Sequence, residues 1–139
     1  TVNILNSRLS QKIEVCKSYR PLPPITCNPG EINQVLLNIL TNAIDAMKSQ
    51  THRLKQISIS TNTASENFVR IIIKDTGTGI PYDIQPRVFD PFFTTKPIGQ
   101  GTGLGLALAY QIVKKHRGDI LLNSDGENGA EFVIDLPIK

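Results

Sequence analysis

The spacing of apolar residues changes along the chain, and each change predicts an element. After Asn28, Ile32, Val35, Leu36, Ile39, Leu40, Ala43, Ile44 and Met47 recur at the spacing of one helix face. Asn28 can cap that helix, Pro29 suits its first turn, and Glu31 stands where a capping box needs it. Ile57-Ser58-Ile59-Ser60-Thr61 then alternates apolar with polar residues, and Phe68 to Lys74 is a β-branched run with Val69, Ile71 and Ile73 on one side. Both read as strands, with a hairpin turn among the polar residues between Ser60 and Asn67. A second helix is predicted from about Thr102 to Arg117, stopped by Gly118. Two last strands, near Asp119–Asn123 and Glu131–Ile138, flank a turn at Asp125-Gly126.

The N-terminal part is less regular. Thr1 to Leu9 has helical spacing (Ile4, Leu5, Leu9) without an N-cap and reads as the end of a helix that starts upstream. Lys12 to Tyr19 alternates as a strand would, Pro21, Pro23 and Pro24 break the chain, and Ile25-Thr26-Cys27 is a short extended piece. The expected organisation is an upstream helical end or linker over residues 1–10 and one domain over residues 11–139. Its expected fold is α/β (α+β): a two-layer sandwich with helices on one face of a mixed, mostly antiparallel sheet.

Composition narrows the partners. With 139 residues, 40% hydrophobic and 19% charged, the chain can bury a core without staples. The net charge of +3 invites nucleic acid, but the one basic run, Lys114-Lys115-His116-Arg117, has no interleaved aromatic for stacking. It reads as a helix C-terminus whose cations complement the macrodipole, so no nucleic-acid partner is expected. Cys16 and Cys27 fit neither a metal motif nor a disulfide framework and read as reduced intracellular thiols. No basic stretch followed by an apolar run opens the chain, and no apolar run approaches a membrane span. A cytoplasmic location is expected, with any membrane anchor in segments outside this chain.

The glycines point to chemistry. Six of the ten (Gly77, Gly79, Gly99, Gly101, Gly103 and Gly105) fall between positions 77 and 105, bracketing a long segment with little secondary-structure signal. Such clustering suits a ligand covered by a hinged lid. Asp75 shares a strand face with Val69, Ile71 and Ile73, so its carboxylate should meet an apolar layer and need a donor there. An exocyclic amine on a flat heterocycle is such a donor, although Asp75-Thr76-Gly77 reads equally as an ordinary strand-ending turn. Asn38, Asn42 and Asp45 lie on one stripe of the first helix. Their oxygens suit Mg²⁺ shared with substrate phosphates, or simply a solvated helix face. Gly99-Gln100-Gly101-Thr102-Gly103-Leu104-Gly105-Leu106 opens the second helix and can offer backbone N–H groups to an anion. It is neither a Walker A loop nor G-x-G-x-x-G.

In this order the pieces resemble the ATP-binding catalytic domain of sensor histidine kinases, within the superfamily that includes gyrase, Hsp90 and MutL ATPases. Asn38-Ile39-Leu40-Thr41-Asn42-Ala43 is similar to its N box, and Asp75-Thr76-Gly77-Thr78-Gly79-Ile80 to its G1 box. Phe89-Asp90-Pro91-Phe92-Phe93-Thr94-Thr95-Lys96 resembles the F box, and Gly101-Thr102-Gly103-Leu104-Gly105-Leu106 the G2 box. The resemblance implies a Bergerat ATP-binding fold and a protein-histidine kinase that uses ATP and Mg²⁺ in two-component signalling. It implies that Asp75 accepts from the adenine amino group, that Asn42 and Asn38 hold metal, and that Asn38 and Lys96 take part in catalysis. Asn38 stands where ATPase relatives place a water-activating glutamate, and an amide is no general base, so transfer is favoured over hydrolysis. Lys96 would meet the γ-phosphate, or reads equally as a solvated loop lysine.

By the same resemblance the nucleotide site comprises Asn42, Asp45, Asp75, Gly77, Gly79, Ile80, Phe89, Thr95, Lys96, Gly99, Gly101, Thr102, Gly103, Leu104, Gly105 and Leu106. Phe89, Phe92 and Phe93 read also as anchors of the lid to the core. Neither His52 nor His116 stands in a phosphoacceptor context. The phosphorylated histidine is expected on an upstream helical domain of a homodimeric protein, and a cognate response regulator is the expected further partner. A stand-alone ATPase, a serine-directed kinase and a non-catalytic nucleotide-binding module of the same superfamily are the alternatives. Two departures stand out. Ala130 follows Gly129 where relatives usually carry a Ser or Thr that supports the adenine-binding Asp, so nucleotide affinity is expected to be weakened. Asp45 stands where many have Lys, which removes a basic phosphate contact.

Overall fold

The computed structural model describes residues 14–19, 27–47, 55–91, 105–126 and 129–138. Five strands form one sheet: β1 (Glu14–Tyr19), β2 (Gln56–Ser65), β3 (Phe68–Asp75), β4 (Asp119–Asn123) and β5 (Glu131–Pro137), in the order β1-β2-β3-β5-β4. β1 runs parallel to β2, and every other neighbouring pair is antiparallel. Two helices, α1 (Pro29–Met47) and α2 (Gly105–Lys115), pack against each other and on the sheet, α1 against β3 and α2 against β4. This is the expected two-layer arrangement with its mixed, mostly antiparallel sheet.

Strand alternation puts Ile57, Ile59, Val69, Ile73, Phe132, Ile134 and Leu136 on the helix-covered face. They meet Val35, Ile39, Leu40, Ala43, Ile44 and Met47 of α1, and Ala109, Ile112 and Val113 of α2. Phe132, only 1% exposed, is the largest fully buried side chain of this core.

Three local expectations change. β2 continues to Ser65, so the hairpin turn shrinks to Glu66-Asn67, with a register irregularity between Thr63 and Ser65. Polar residues there face solvent on the rim of the sheet and do not end the strand. The capping box at α1 is half formed. Asn28 Oδ1 accepts from the Glu31 amide at 3.1 Å, but the Glu31 carboxylate turns to Lys115 at 3.1 Å and the Asn28 amide donates to His116 Nε2 at 3.1 Å. A charged partner from α2 outcompetes the reciprocal cap.

The stop of α2 also differs. Arg117, at φ 62°, occupies the left-handed position, with its amide on the Lys114 carbonyl and the Gly118 amide on the Val113 carbonyl, both at 2.9 Å. This is a Schellman ending shifted one residue ahead of the glycine. Gly118 serves close approach: a Cβ there would lie 2.3 Å from the Asp135 carbonyl oxygen.

Candidate functional site

Asp75 ends β3 with its side chain on the apolar face, in register with Ile57 of β2, and is only 3% exposed. Its Oδ1 accepts from the amides of Gly77 at 2.8 Å and Ala130 at 3.4 Å. Among the described residues no group donates to Oδ2. Burial pushes the carboxyl above its ordinary value, and the two amides pull it back. A buried acceptor with one oxygen held by backbone and the other open is suited to a neutral donor such as an amine on a heteroaromatic ring.

The walls are close. A Cβ on Gly77 would lie 2.8 Å from Asp75 Oδ1 and 3.0 Å from Ala46 Cβ, so only glycine brings this loop against the last turns of α1. On the other side a Cβ on Gly129 would lie 2.1 Å from the Asp75 carbonyl oxygen, at a φ of 93°. The hydroxyl expected at position 130 is absent, and Ala130 contributes its amide instead.

Helix α1 joins this pocket to the start of α2. Asn38 Nδ2 donates to the Gly105 carbonyl at 3.0 Å, and Asn38 Oδ1 accepts from Gln34 Nε2 at 2.7 Å. Asn38, Asn42 and Ala46 are spaced by four residues and share one face of α1. Half-buried Asn42 therefore lies between the contact with Gly105 and the contact with Gly77. Asp45 is half-buried on an adjacent turn and has bonds of its own. The N box, the G1 box and the end of the G2 box, far apart in sequence, meet along this helix.

The remaining candidates fall into four groups. Gly79 takes a positive φ of 78°, and Ile80 packs against the core while its amide donates to Ser124 Oγ at 3.0 Å. Phe89 stacks on Tyr110 at 5.4 Å between ring centroids and meets Phe132 edge-on at 6.2 Å, an anchoring arrangement. Gly105 opens α2, and Leu106 packs on the core. Thr95, Lys96, Gly99, Gly101, Thr102, Gly103 and Leu104, like Phe92, Phe93 and His52, lie outside the described residues.

His116 is a scaffold residue. Nδ1 lies 2.9 Å from the Ile112 carbonyl and Nε2 accepts from Asn28, which assigns the proton to Nδ1 and commits both nitrogens. With the Lys115–Glu31 pair it ties the end of α2 to the start of α1. Residues that sequence reasoning passed over also hold the site. Gln34 orients Asn38, and the Thr76 hydroxyl accepts from the Gln56 amide at 2.9 Å. Gln85 Nε2 donates to the Ile80 carbonyl at 2.7 Å, and Ser124 bonds three backbone groups. Gln56–Thr76 and Ile80–Ser124 join positions 20 and 44 residues apart, which no local pattern marks; Gln34 stands one helical turn before Asn38, a spacing that could have flagged it.

Comparison with known proteins agrees with this geometry. Residues 27–139 match the family described as "Histidine kinase-, DNA gyrase B-, and HSP90-like ATPase". Over its whole length the chain is 36% identical to Sporulation kinase E of Bacillus subtilis (strain 168), covering 18% of that protein. It is 44% identical over 85% of its length to the signal transduction histidine-protein kinase AtoS of Escherichia coli (strain K12), again covering 18% of the relative. The chain thus spans about a fifth of the length of the curated relatives it matches. Among solved structures, full-length ShkA in complex with AMPPNP superposes with a TM-score of 0.83 at 28% identity, covering 97% of this chain and 28% of that one. No helix among the described residues is long and apolar enough to cross a membrane. The chain belongs to the histidine kinase-, DNA gyrase B- and HSP90-like ATPase family, as a catalytic domain of the sensor histidine kinase kind.

Proposed function

We propose that this domain binds Mg·ATP and delivers its γ-phosphoryl group to a histidine on a separate helical domain of the same homodimeric protein, in the cytoplasm. That acceptor domain would precede residue 11, with Thr1 to Ser10 at its end, and would pass the phosphoryl group to a response regulator. The observation that carries the reading is Asp75: a buried carboxylate whose Oδ1 is held by two amides and whose Oδ2 receives no donor from the described residues. The amino group of adenine is a neutral donor of the kind that such an acceptor takes. The AMPPNP complex of ShkA supports the same class of ligand.

The metal fits the donor set rather than a cage. Among the described residues no cluster of His, Cys, Asp and Glu could hold an ion alone. Asn42 and Asn38 instead offer amide oxygens, and Mg²⁺ typically takes few protein ligands alongside substrate phosphates and water. Mg²⁺, when bound, would neutralise charge on the phosphates. Asn38 Oδ1, although it accepts from Gln34, keeps a second lone pair. The chain's own residues bind the purine, hold Asn42 between the two glycine-rich segments, and fix the start of α2. Transfer forms a P–N bond to the acceptor imidazole as the P–O bond to ADP breaks, and the imidazole proton leaves to solvent. The family resemblance adds Thr95, Lys96, Gly99, Gly101 and Gly103 as further contacts to the phosphates.

Calorimetry with ATP, GTP and ADP tests the binding step: adenine nucleotides should bind, and GTP, which carries a carbonyl where adenine has its amine, should not. Equal affinity for ATP and GTP would remove Asp75 from base recognition. Phosphohistidine on the full-length protein, lost when the upstream histidine is replaced, tests the transfer.

A further inference from the structure

Ser124, at the exit of β4, has a hydroxyl that bonds three backbone groups. Its Oγ accepts from the Ile80 amide at 3.0 Å and the Gly126 amide at 3.1 Å, and donates to the Gly129 carbonyl at 2.7 Å. One donor and two lone pairs are all that a serine hydroxyl has. Gln85 reinforces the junction, its Nε2 donating to the Ile80 carbonyl at 2.7 Å and the Ser124 carbonyl at 3.2 Å.

The direction of these bonds matters. The Gly129 carbonyl and the Ala130 amide belong to one planar trans peptide, so they point opposite ways. By drawing the carbonyl toward itself, Ser124 turns the amide toward Asp75 Oδ1. Gly129, at φ 93° and without a Cβ to block the Asp75 backbone, is free to swivel unless something fixes that plane. The same hydroxyl holds the Gly79–Ile80 peptide, which continues from the Gly77 amide that is the other donor to Oδ1. One hydroxyl thus fixes the Gly129–Ala130 peptide directly and the Ile80 end of the loop that begins at Gly77.

We infer that Ser124 is a positioning residue for the purine pocket: it aims the Ala130 amide at Asp75 Oδ1, doing from the neighbouring strand what a hydroxyl at position 130 would do by direct contact. The inference rests on the reading of Asp75 as the base acceptor. Without Ser124 the Ala130 amide drifts, Oδ1 loses a donor, and Oδ2 is no longer held in one direction for the ligand.

The test is titration calorimetry of ADP without metal on the chain, on Ser124→Ala and on Ser124→Thr, with GDP as the base control and thermal unfolding alongside. Loss of one oriented hydrogen bond to a carboxylate should weaken ADP about tenfold in Ser124→Ala. Ser124→Thr keeps the hydroxyl and should stay within about threefold. Amide hydrogen exchange at Ile80 and Ala130 should accelerate in Ser124→Ala while Ile134, in the core of β5, stays protected. A folded Ser124→Ala chain that binds ADP like the parent, or a Ser124→Thr chain as impaired as Ser124→Ala, overturns the inference. If Ser124→Ala does not fold, Ser124→Thr decides on the same threshold. An unaltered chain that binds no ADP overturns the reading of Asp75 itself, a different failure from a parent that binds and a serine variant that is unaffected.

Discussion

Replacing Asp75 with asparagine separates function from stability at the centre of the site. Asparagine keeps the shape of aspartate, and its Oδ1 can still accept from the amides of Gly77 and Ala130. Those two donors fix the orientation of the amide, so the new Nδ2 takes the place of Oδ2. A donor then faces the donor of the purine. Losing a hydrogen bond to a charged acceptor costs about 1.5–3 kcal/mol, or roughly 10- to 150-fold in affinity, before the donor–donor clash is added. Asp75 is 3% exposed, so solvent does little to soften the loss.

Stability should move the other way. Burial raises the Asp75 carboxyl above 3.8, so between that value and the raised one the folded state holds more protons than the unfolded state. Its contribution to stability is fully present below the unfolded value and is lost as pH rises through the folded one. Asp75→Asn removes that cost, so at neutral pH the variant should unfold no earlier than the parent. The difference should shrink as pH falls toward 3.8. Calorimetric titration with ADP and thermal unfolding between acid and neutral pH check both halves. Retention of ADP affinity to within about threefold would refute the assignment of the pocket. A variant markedly less stable at neutral pH would refute the view that desolvation outweighs the two amide bonds.

Other consequences follow from specific contacts. Asn42→Ala should weaken nucleotide binding with Mg²⁺ present and leave metal-free binding unchanged; equal loss under both conditions, read by calorimetry, removes Asn42 from the metal site. Arg117→Gly should stabilise the fold by about 1 kcal/mol by relieving a left-handed residue at φ 62°. Gly118→Ala should destabilise it by about 1–3 kcal/mol through the clash with the Asp135 carbonyl, and urea unfolding measures both. Incubated with labelled ATP, the chain alone should remain unlabelled, because neither His52 nor His116 stands in a phosphoacceptor context and both nitrogens of His116 are engaged. Stable label on His116, found by peptide mapping, would overturn its scaffold role.

Local pattern was enough to place α1, β3 and Asp75. The apolar stripe from Ile32 to Met47 has only one face to bury, and the alternation Val69, Ile71, Ile73 obliges Asp75 to share the core side of its strand. Periodicity is a property of neighbours, and a single sequence carries it in full. The turn at Glu66-Asn67, the shift of the Schellman position to Arg117 and the diversion of Glu31 to Lys115 were decided elsewhere. The last two depend on what packing places opposite: the Asp135 carbonyl behind Gly118, and the end of α2 beside the start of α1.

The same division runs through the site. Sequence supplied the acid, the two asparagines and the glycines that make close approach feasible. The Gly77 amide, two residues on, is local to the turn, but tertiary structure alone brought the Ala130 amide to the carboxylate, seated Asn38 on the Gly105 carbonyl and made Ser124 the junction of the loops. Hydrogen bonds between groups 44 to 67 residues apart leave no trace in local spacing, because the chain must first pay the entropy of closing those loops before the partners can meet.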